Sequence, residues 1–356
     1  MNARERVHAI LNRQPVNRLP VDLWHTPEIG EELRLYFGVD NDLDLYRAMG
    51  LDKLVWVFPE YRSAGGEAAG AQPGAQSAGG RTMWGVPLRG VQAGAAHYDE
   101  FGEPPMQAYG SATDVERYEW WPDPDRFDYD GAVAQANETA RDFAVLGPWV
   151  SFFEIYCQLR GIEQALMDVA LAPDLVDAVL DRVEEVQTEM LKRYLSRASD
   201  HVTAVFVSDD VGGQNGPLFS PAAWARHLQP RMTRWCDLIH SFDLKVFYHS
   251  DGGFEPLIEP LLDCGIDVLN PVQHVCPGMD MAELKRKYGE RVVFHGGVDN
   301  QSVLPFGTPE DVRRETRCCL DTLGAGCEGF ICCSCHNVQP GTPLENILAM
   351  VETVLG

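Results

Sequence analysis

Basic residues are scarce in this sequence of 356 residues, which has 29 Lys and Arg against 53 Asp and Glu. The formal net charge at pH 7 is −24, and such a surface repels phosphates over most of its area. The composition therefore argues against nucleic acid and an anionic membrane as partners. It favours a small molecule, or a protein that carries a basic face.

Long hydrophobic runs are also missing. No stretch approaches the ~18 to 20 apolar residues that a bilayer span requires. The first residues, MNARERVHAILNRQ, have the pattern of an amphipathic helix rather than that of a signal peptide. We therefore expect a cytoplasmic protein.

Cysteine is absent before Cys157, and six of the ten cysteines crowd between Cys318 and Cys335. In a long intracellular chain this pattern is typical of reduced thiols. Cys332 and Cys335 form a CxxC pair, but no second pair accompanies it, so core packing is favoured over a zinc ribbon or a redox pair. The stretch VGGQNG (211–216) lacks the lysine of a phosphate loop and the GxGxxG order, so it predicts no nucleotide site.

Short runs rich in Val, Ile and Phe alternate with helix-like segments. Helices are predicted at Ala172–Leu195 and at Pro309–Leu323, the second after a threonine cap and with proline at its first position. The predicted strands are Pro20–Trp24, Lys53–Phe58, Phe143–Gly147, Thr203–Ser208, Leu244–Tyr248, Ile266–Asn270, Arg291–His295 and Gly329–Cys333. This alternation is typical of a (β/α)8 TIM barrel, an α/β fold, and we predict a single domain over residues 1–356.

One region interrupts the alternation. Ser63–Gly80, SAGGEAAGAQPGAQSAGG, is of low complexity and predicts a flexible Gly-rich surface loop. The segments RTMWGVPLRG and HYDEFGEPPMQAYG that follow predict a small β-hairpin. We treat residues 63–110 as an insertion in the barrel, and we expect the inserted region near Trp84 and Tyr98 to help form the specificity pocket.

Polar side chains follow at least five of the predicted strands, at the end where barrel enzymes carry their catalytic groups. These strand-end residues are Trp24, His25, Asp209, Asp210, His249, Asp251, Asn270, His295, Asp299, Cys335, His336 and Asn337. The predicted catalytic residues are Asp209, Asp210 and His295. The predicted substrate-binding residues are Trp24, His25, Asn270 and Asn337.

The motif HSDGG (249–253) predicts half of a metal site. Residues i and i+2 of an extended segment point to the same side, so His249 and Asp251 can face one ion. A third ligand must come from another strand end, where His336 and Cys335 are the candidates. Three side chains and an open position are how catalytic zinc is held. The alternative is that each histidine is a hydrogen-bonded loop residue.

Asp209 and Asp210 are adjacent and therefore point to opposite sides of a strand. We expect only one of them to face the mouth of the barrel, where it binds a substrate amine or hydroxyl or acts as a general base. The alternative is a helix cap or a salt bridge in a loop.

Four motifs make the chain resemble the uroporphyrinogen decarboxylase superfamily: YHSDGG, SDDVGGQNGPLFSP, the opening RERVHAILNRQPVNRLPVDLW and the closing CHNVQPGTPLENI. The resemblance covers nearly the whole chain and implies a (β/α)8 barrel with its site in the C-terminal mouth. Members of the superfamily are either metal-free decarboxylases or zinc methyltransferases that move methyl groups to or from a corrinoid.

The chain departs from both branches. The decarboxylases resemble one another in an early arginine loop that holds substrate carboxylates, whereas the corresponding stretch here has His25 and Glu28. The corrinoid methyltransferases that act on coenzyme M are similar to this chain, and their zinc ligands are an HxC motif and a later Cys. Here the HxC motif is HxD, formed by His249 and Asp251, and His336 holds the position of the later Cys. This harder ligand set suits a methoxy or amine substrate better than a thiol. It also suits iron or manganese.

We therefore expect a zinc-dependent methyltransferase that moves a methyl group between a small molecule and the cobalamin or corrinoid of a partner protein. One alternative is a metal-free decarboxylase or lyase of a smaller acid, with Asp210 and His336 transferring protons. Another is a non-catalytic binder of a corrinoid or tetrapyrrole. Trp120 and Trp121 form either the patch of a homodimer or part of the core.

Overall fold

The computed structural model describes residues 1–62, 80–93 and 96–356. Its strands are β1 (Leu54–Trp56), β2 (Glu60–Tyr61), β3 (Leu88–Ala93), β4 (Ala96–Phe101), β5 (Phe127–Asp128), β6 (Ala144–Val150), β7 (Ala204–Ser208), β8 (Gly212–Gly213), β9 (Gly216–Pro217), β10 (Lys245–His249), β11 (Val268–Asn270), β12 (Val293–His295) and β13 (Phe330–Ile331).

The helices are α1 (Ala3–Leu11), α2 (Pro27–Phe37), α3 (Asp42–Met49), α4 (Ala112–Glu116), α5 (Tyr129–Thr139), α6 (Phe153–Arg160), α7 (Ile162–Leu171), α8 (Pro173–Ala198), α9 (Pro221–His227), α10 (Gln229–His240), α11 (Glu255–Cys264), α12 (Met281–Tyr288), α13 (Val303–Phe306), α14 (Pro309–Thr322) and α15 (Leu344–Leu355). None of these helices combines the length and apolar character that a bilayer crossing requires.

A seven-stranded parallel sheet forms the centre of the fold, in the order β1-β6-β7-β10-β11-β12-β13. Seven of the eight predicted strands lie in this sheet. Parallel strands that are buried on both faces read as continuous apolar runs, which is why they were recognisable. β6, AVLGPWV, and β7, AVFVS, are buried along their whole length.

The eighth predicted strand, Pro20–Trp24, is not a regular strand. Val21 pairs with Cys332, and the N–H of Asp52 donates to the Val21 carbonyl at 2.7 Å, so the segment contacts both edges of the curled sheet. Two features interrupt its ladder. Pro20 has no N–H to donate, and the Asp22 carboxylate accepts the N–H of Leu23 at 2.7 Å. The segment therefore connects the sheet edges through one isolated bridge and single backbone hydrogen bonds, without a continuous ladder.

The two predicted helices are present. Thr308 caps α14 in a reciprocal pair with Asp311, and Pro309 occupies the first position, where its missing N–H costs no hydrogen bond. α8 runs three residues beyond the predicted Leu195. Both helices present one apolar face to the core.

The inserted region is described in part. The predicted flexible loop Ser63–Gly80 lies almost wholly outside the described residues, and so does the side chain of Tyr98. β3 and β4 form an antiparallel hairpin. Beside it the indoles of Trp84 and Trp121 meet edge to face, whereas Trp120 is 51% exposed.

Candidate functional site

Three side chains with metal-ligating atoms meet at the carboxyl edge of the sheet. His249 ends β10, Asp251 follows it by two residues, and His336 follows β13. Their candidate ligand atoms lie within 4.8 Å of one another. Nε2 of His249 is 4.0 Å from Oδ1 of Asp251, and Nε2 of His336 is 3.8 Å from Oδ2 of Asp251. His249 is buried and the other two are half-buried, so the group has a closed side and an open side.

Cys335, the fourth predicted ligand, does not join this group. Its thiol donates to the Val272 carbonyl at 3.5 Å, and burial raises the pKa of this thiol. A neutral buried thiol with a hydrogen-bond acceptor lacks the thiolate form that binds metals. The structure thus brings together His249, Asp251 and His336, and leaves Cys335 in the core.

A chain of buried polar side chains runs from His249 into the interior. Nδ1 of His249 lies 2.5 Å from Oδ1 of Asn270, and Nδ2 of Asn270 lies 2.8 Å from Nδ1 of His295. Nε2 of His295 lies 3.1 Å from Oδ2 of Asp22, whose Oδ1 is 3.0 Å from Nζ of Lys53. Asn270 and His295 are fully buried. They therefore support His249 from behind instead of lining the mouth, where substrate-binding and catalytic roles were predicted for them.

The ion pair of Asp22 and Lys53 balances the charge of this chain. Burial alone would raise the pKa of Asp22, but the Lys53 ammonium and the His295 N–H hold it well below its usual range. Burial lowers the pKa of His295, which is therefore neutral at pH 7. Asp22, His295 and Cys333 also have ligand-type atoms within 4.8 Å of one another. Lys53 already supplies the positive charge there, so these residues form a closed network and not a second metal site.

Trp24 forms the floor beneath the histidines. Its ring centroid is 5.9 Å from that of His249 and 5.3 Å from that of His295, and its Nε1 donates to Asp22 at 3.2 Å. Only 5% of Trp24 is exposed. This packing gives Trp24 a shaping role at the base of the mouth.

His25 follows the irregular segment Pro20–Trp24, and Asn337 lies in the loop after β13. Nδ1 of His25 is 3.0 Å from the Thr26 carbonyl, and its ring packs 6.2 Å from that of Tyr46. Burial lowers the pKa of His25. Asn337 directly follows His336 and is half-buried.

The adjacent carboxylates Asp209 and Asp210 have different surroundings. Oδ1 of Asp209 accepts hydrogen bonds from Ser151 Oγ at 2.9 Å and from the N–H groups of residues 152, 153 and 154 at 3.0, 2.6 and 3.2 Å. Asp209 thus caps the start of α6 and is buried. Asp210 is half-buried, and its Oδ1 lies 3.8 Å from Nε2 of His249 and accepts the N–H of Asp251 at 2.8 Å. Of the two, Asp210 faces the candidate site.

Glu154 was not among the predicted residues. It lies in the first turn of α6, which follows β6, and its Oε2 accepts the Ser208 hydroxyl at 3.1 Å. Burial, with the carboxylates of Asp210 and Asp209, raises the pKa of Glu154 to about 8. Its carboxyl is therefore mostly protonated at neutral pH. Its position soon after the apolar strand β6 could have indicated a site residue. It was missed because it lies in the first turn of the following helix, whereas candidates were sought directly at strand ends.

Two glycine pairs hold the loops that carry Asp210 and Asp251. The N–H of Gly253 donates to the Gly213 carbonyl at 2.8 Å. A Cβ on Gly212 would lie 2.3 Å from the Asp251 carbonyl oxygen, and one on Gly252 would lie 2.6 Å from the Gly213 nitrogen. Both distances are far below van der Waals contact, so the close approach of these loops requires glycine.

Comparisons with known proteins agree with this architecture. The family model described as Uroporphyrinogen decarboxylase (URO-D) matches residues 99–355. The uroporphyrinogen decarboxylase of Geobacter sulfurreducens is 26% identical over 183 residues, 51% of this chain and 49% of that protein. That of Dechloromonas aromatica is 29% identical over 109 residues, 31% of this chain and 28% of that protein. The chain thus spans about half, or less, of the length of these curated relatives.

One solved structure matches the described fold along nearly all of its length. A methyltransferase from Methanosarcina mazei superposes with a TM-score of 0.70 at 18% identity, over 99% of this chain and 98% of that one. At this identity the likeness concerns the fold alone. The family match extends over most of the sequence and includes both histidines of the site. The chain belongs to the uroporphyrinogen decarboxylase family.

Proposed function

We propose that this protein is a metal-dependent methyltransferase, which moves a methyl group between a small O- or N-methyl substrate and a corrinoid protein. The observation that carries the proposal is the group of His249, Asp251 and His336, whose ligand atoms lie within 4.8 Å of one another. Three protein ligands, two at the end of β10 and one after β13, leave one side open, which is the arrangement of catalytic zinc sites.

The donor set fits a divalent metal ion. Burial lowers the pKa of His336, although the Asp251 carboxylate opposes this effect, and a neutral imidazole is the form that binds metals. Asp210 adds a carboxylate 3.8 Å from Nε2 of His249. Two nitrogens and one oxygen are accepted by zinc, and we propose zinc over iron or manganese. Zinc held by these side chains would supply a Lewis acid that polarises the methyl-bearing heteroatom.

The remaining residues would position the substrate and supply a proton. The nucleophilic corrinoid would receive the methyl group as the equivalent of a methyl cation. The heteroatom would keep the electron pair of the broken bond and would therefore need a proton. Glu154, whose pKa is raised to about 8, is a suitable general acid. Asp210 would hold the substrate, and the ring of Trp24 would limit the depth to which it enters.

A corrinoid protein would dock over the mouth as the methyl acceptor. The net charge of −24 favours a docking face rich in Lys and Arg. We further propose that residues 1–356 form one domain, and that segment Pro20–Trp24 closes the sheet into an eight-stranded barrel. A homodimer and a cytoplasmic location remain predictions.

A metal-free decarboxylase of a smaller acid is the second candidate, and the names of the curated relatives favour it. Asp210 and His336 would then transfer protons. Against it, three carboxylates lie near Glu154 and contribute to its raised pKa, those of Asp210, Asp209 and Asp251. The anionic form of an acid substrate would be repelled by these groups.

Metal content tests the proposal. Protein purified without chelator or nickel resin should contain about one zinc per chain, and His249→Ala and His336→Ala should each lose it. His240→Ala is the matched control, because His240 is paired with Asp267 outside the site at 2.8 Å. Wild-type protein without metal, or metal retained in both site variants, would favour the lyase.

Activity separates the three functions. The zinc-loaded protein should methylate reduced cobalamin with an aryl methyl ether or a methylamine as donor, whereas the lyase would release carbon dioxide without metal. Tight cobalamin binding without turnover of any donor would instead support a corrinoid-binding protein.

A further inference from the structure

We infer that Asn270 is the positioning residue that selects the tautomer of His249, so that Nε2 of this ring offers its lone pair at the candidate metal position. The inference rests on the proposed metal site, and it concerns the buried residues behind that site. Hydrogen positions follow from the chemistry of the partners, because several atoms in this network can only donate or only accept.

Asp22 fixes the proton of His295. Its carboxylate accepts from the Leu23 N–H at 2.7 Å, from Lys53 Nζ at 3.0 Å and from Trp24 Nε1 at 3.2 Å. With the ammonium beside it, Asp22 is ionised and can only accept. Nε2 of His295, 3.1 Å from Oδ2, must therefore carry the hydrogen. Since His295 is neutral, its Nδ1 is left as an acceptor.

The orientation of the Asn270 amide follows from His295. Its Nδ2 lies 2.8 Å from Nδ1 of His295 and 3.3 Å from the backbone carbonyl oxygen of the same residue. A carbonyl oxygen only accepts, and the unprotonated Nδ1 only accepts, so the NH₂ group of Asn270 must face both. The reversed amide would set two oxygen atoms against each other and leave Nδ1 without a donor.

The orientation of Asn270 in turn determines the state of His249. Oδ1 of Asn270 faces Nδ1 of His249 at 2.5 Å, and an amide oxygen only accepts. The hydrogen of a neutral His249 therefore lies on Nδ1, and Nε2 has a lone pair on the side of Asp210 and Asp251, at 3.8 and 4.0 Å. Metal-binding histidines commonly donate their other N–H to such an acceptor, which raises their basicity and orients the ring.

Nitrogen-15 NMR of histidine-labelled, metal-free protein tests this inference directly. Each tautomer has a distinct pair of ring-nitrogen shifts, so the protonated nitrogen can be identified without any metal or substrate. We expect Nδ1–H for His249 and Nε2–H for His295. Asn270→Ala should remove the preference of His249 and weaken zinc binding by ~10- to 100-fold, as measured by competition with a chromogenic chelator.

Two further variants separate positioning from a loss of stability. Asn270→Asp keeps an oxygen opposite Nδ1 of His249, so its His249 tautomer and zinc affinity should be closer to wild type than those of Asn270→Ala. Asn346→Ala removes another buried amide, which donates to the carbonyls of Leu304 and Gly307 at 2.9 and 2.8 Å. This variant should lose stability as Asn270→Ala does, and yet keep the wild-type tautomer of His249 and the wild-type zinc affinity.

The inference is overturned if metal-free wild-type protein has the hydrogen of His249 on Nε2, or if Asn270→Ala leaves the tautomer unchanged. The proposed function can fail separately. Wild-type protein with the expected tautomer but no affinity for zinc would refute the metal site while retaining the role of Asn270.

Discussion

Asp209 and Asp210 are chemically identical neighbours, and their side chains perform different tasks. Four hydrogen bonds from residues 151–154 converge on one oxygen of Asp209, whereas Asp210 lies beside His249. The alternation of side chains at the end of a strand separates them. One therefore stabilises the fold and the other is available for chemistry.

Asp209→Ala should lower the free energy of unfolding by about 2 kcal/mol, because it leaves the N–H groups at the start of α6 without their acceptor. Asp209→Asn keeps one acceptor oxygen and should cost less. Asp210→Ala should cost less than about 1 kcal/mol while reducing methyl transfer. Urea unfolding, followed by tryptophan fluorescence, measures the difference. Equal losses in the two alanine variants would contradict these roles.

Glu154 predicts a dependence of stability on pH. Its pKa is raised from 4.5 to about 8 in the folded protein, so between these values the native state binds more protons than the unfolded state. The stability contribution of this group is therefore greatest at low pH and declines as pH rises through this window.

Glu154→Gln should remove that decline. The variant should gain roughly 2 kcal/mol relative to wild type between pH 5 and pH 8, since each pKa unit corresponds to ~1.4 kcal/mol and a half-buried carboxyl retains part of the shift. Denaturant unfolding of metal-free protein at both pH values provides the measurement. A difference in stability that does not change with pH would show that Glu154 ionises normally.

At the scale of elements, the loops after β7 and β10 are held together by backbone contacts between glycines. Gly213 and Gly253 form a β-bridge, and Gly212 lies against the backbone of Asp251. Since these loops also carry Asp210 and Asp251, their spacing sets the position of two carboxylates in the candidate site. A side chain added at Gly212 must therefore move one loop.

Gly212→Ala should weaken zinc binding by at least ~10-fold, because the added methyl group displaces the backbone of Asp251 and misplaces a ligand. Gly110→Ala is the matched control, since a Cβ at Gly110 meets no atom within 4 Å. Chelator competition on both variants, with circular dichroism to verify folding, tests the effect. Unchanged zinc affinity in Gly212→Ala would mean that the loops adjust without moving the ligand.

At the scale of the whole molecule, the net charge of −24 would act on the approach of a corrinoid protein. If that partner presents a basic face, attraction between the two surfaces accelerates encounter. Salt reduces this attraction, because the screening length falls from about 10 Å at 0.1 M to about 3 Å at 1 M.

The association rate with a basic corrinoid protein should fall at least ~10-fold over that range of salt, while the dissociation rate changes much less. Stopped-flow mixing gives both rates. A corrinoid protein of acidic surface serves as the control and should associate slowly at every salt concentration. A rate for the basic partner that is independent of salt would exclude charge-guided docking.

Much of the fold was predictable because its information is local. Apolar runs identified seven strands of the sheet, and a threonine followed by proline identified the start of α14. Pro20–Trp24 was predicted as a regular strand and instead forms one isolated bridge, between Val21 and Cys332. Its apolar residues signal burial, but the side-chain hydrogen bonds of Asp22 that compete with the ladder depend on the folded surroundings.

By itself, the sequence determined the α/β class of the fold and the approximate positions of seven strands, and it supplied candidate metal ligands, because periodicity and residue type are properties of short segments. Only the tertiary structure decided that His336 joins His249 while Cys335 packs in the core. It also decided that Asp210 faces the site and that Glu154 is protonated near neutral pH. These outcomes depend on distances, burial and fields between segments far apart in the chain, and spacing along a sequence does not encode them.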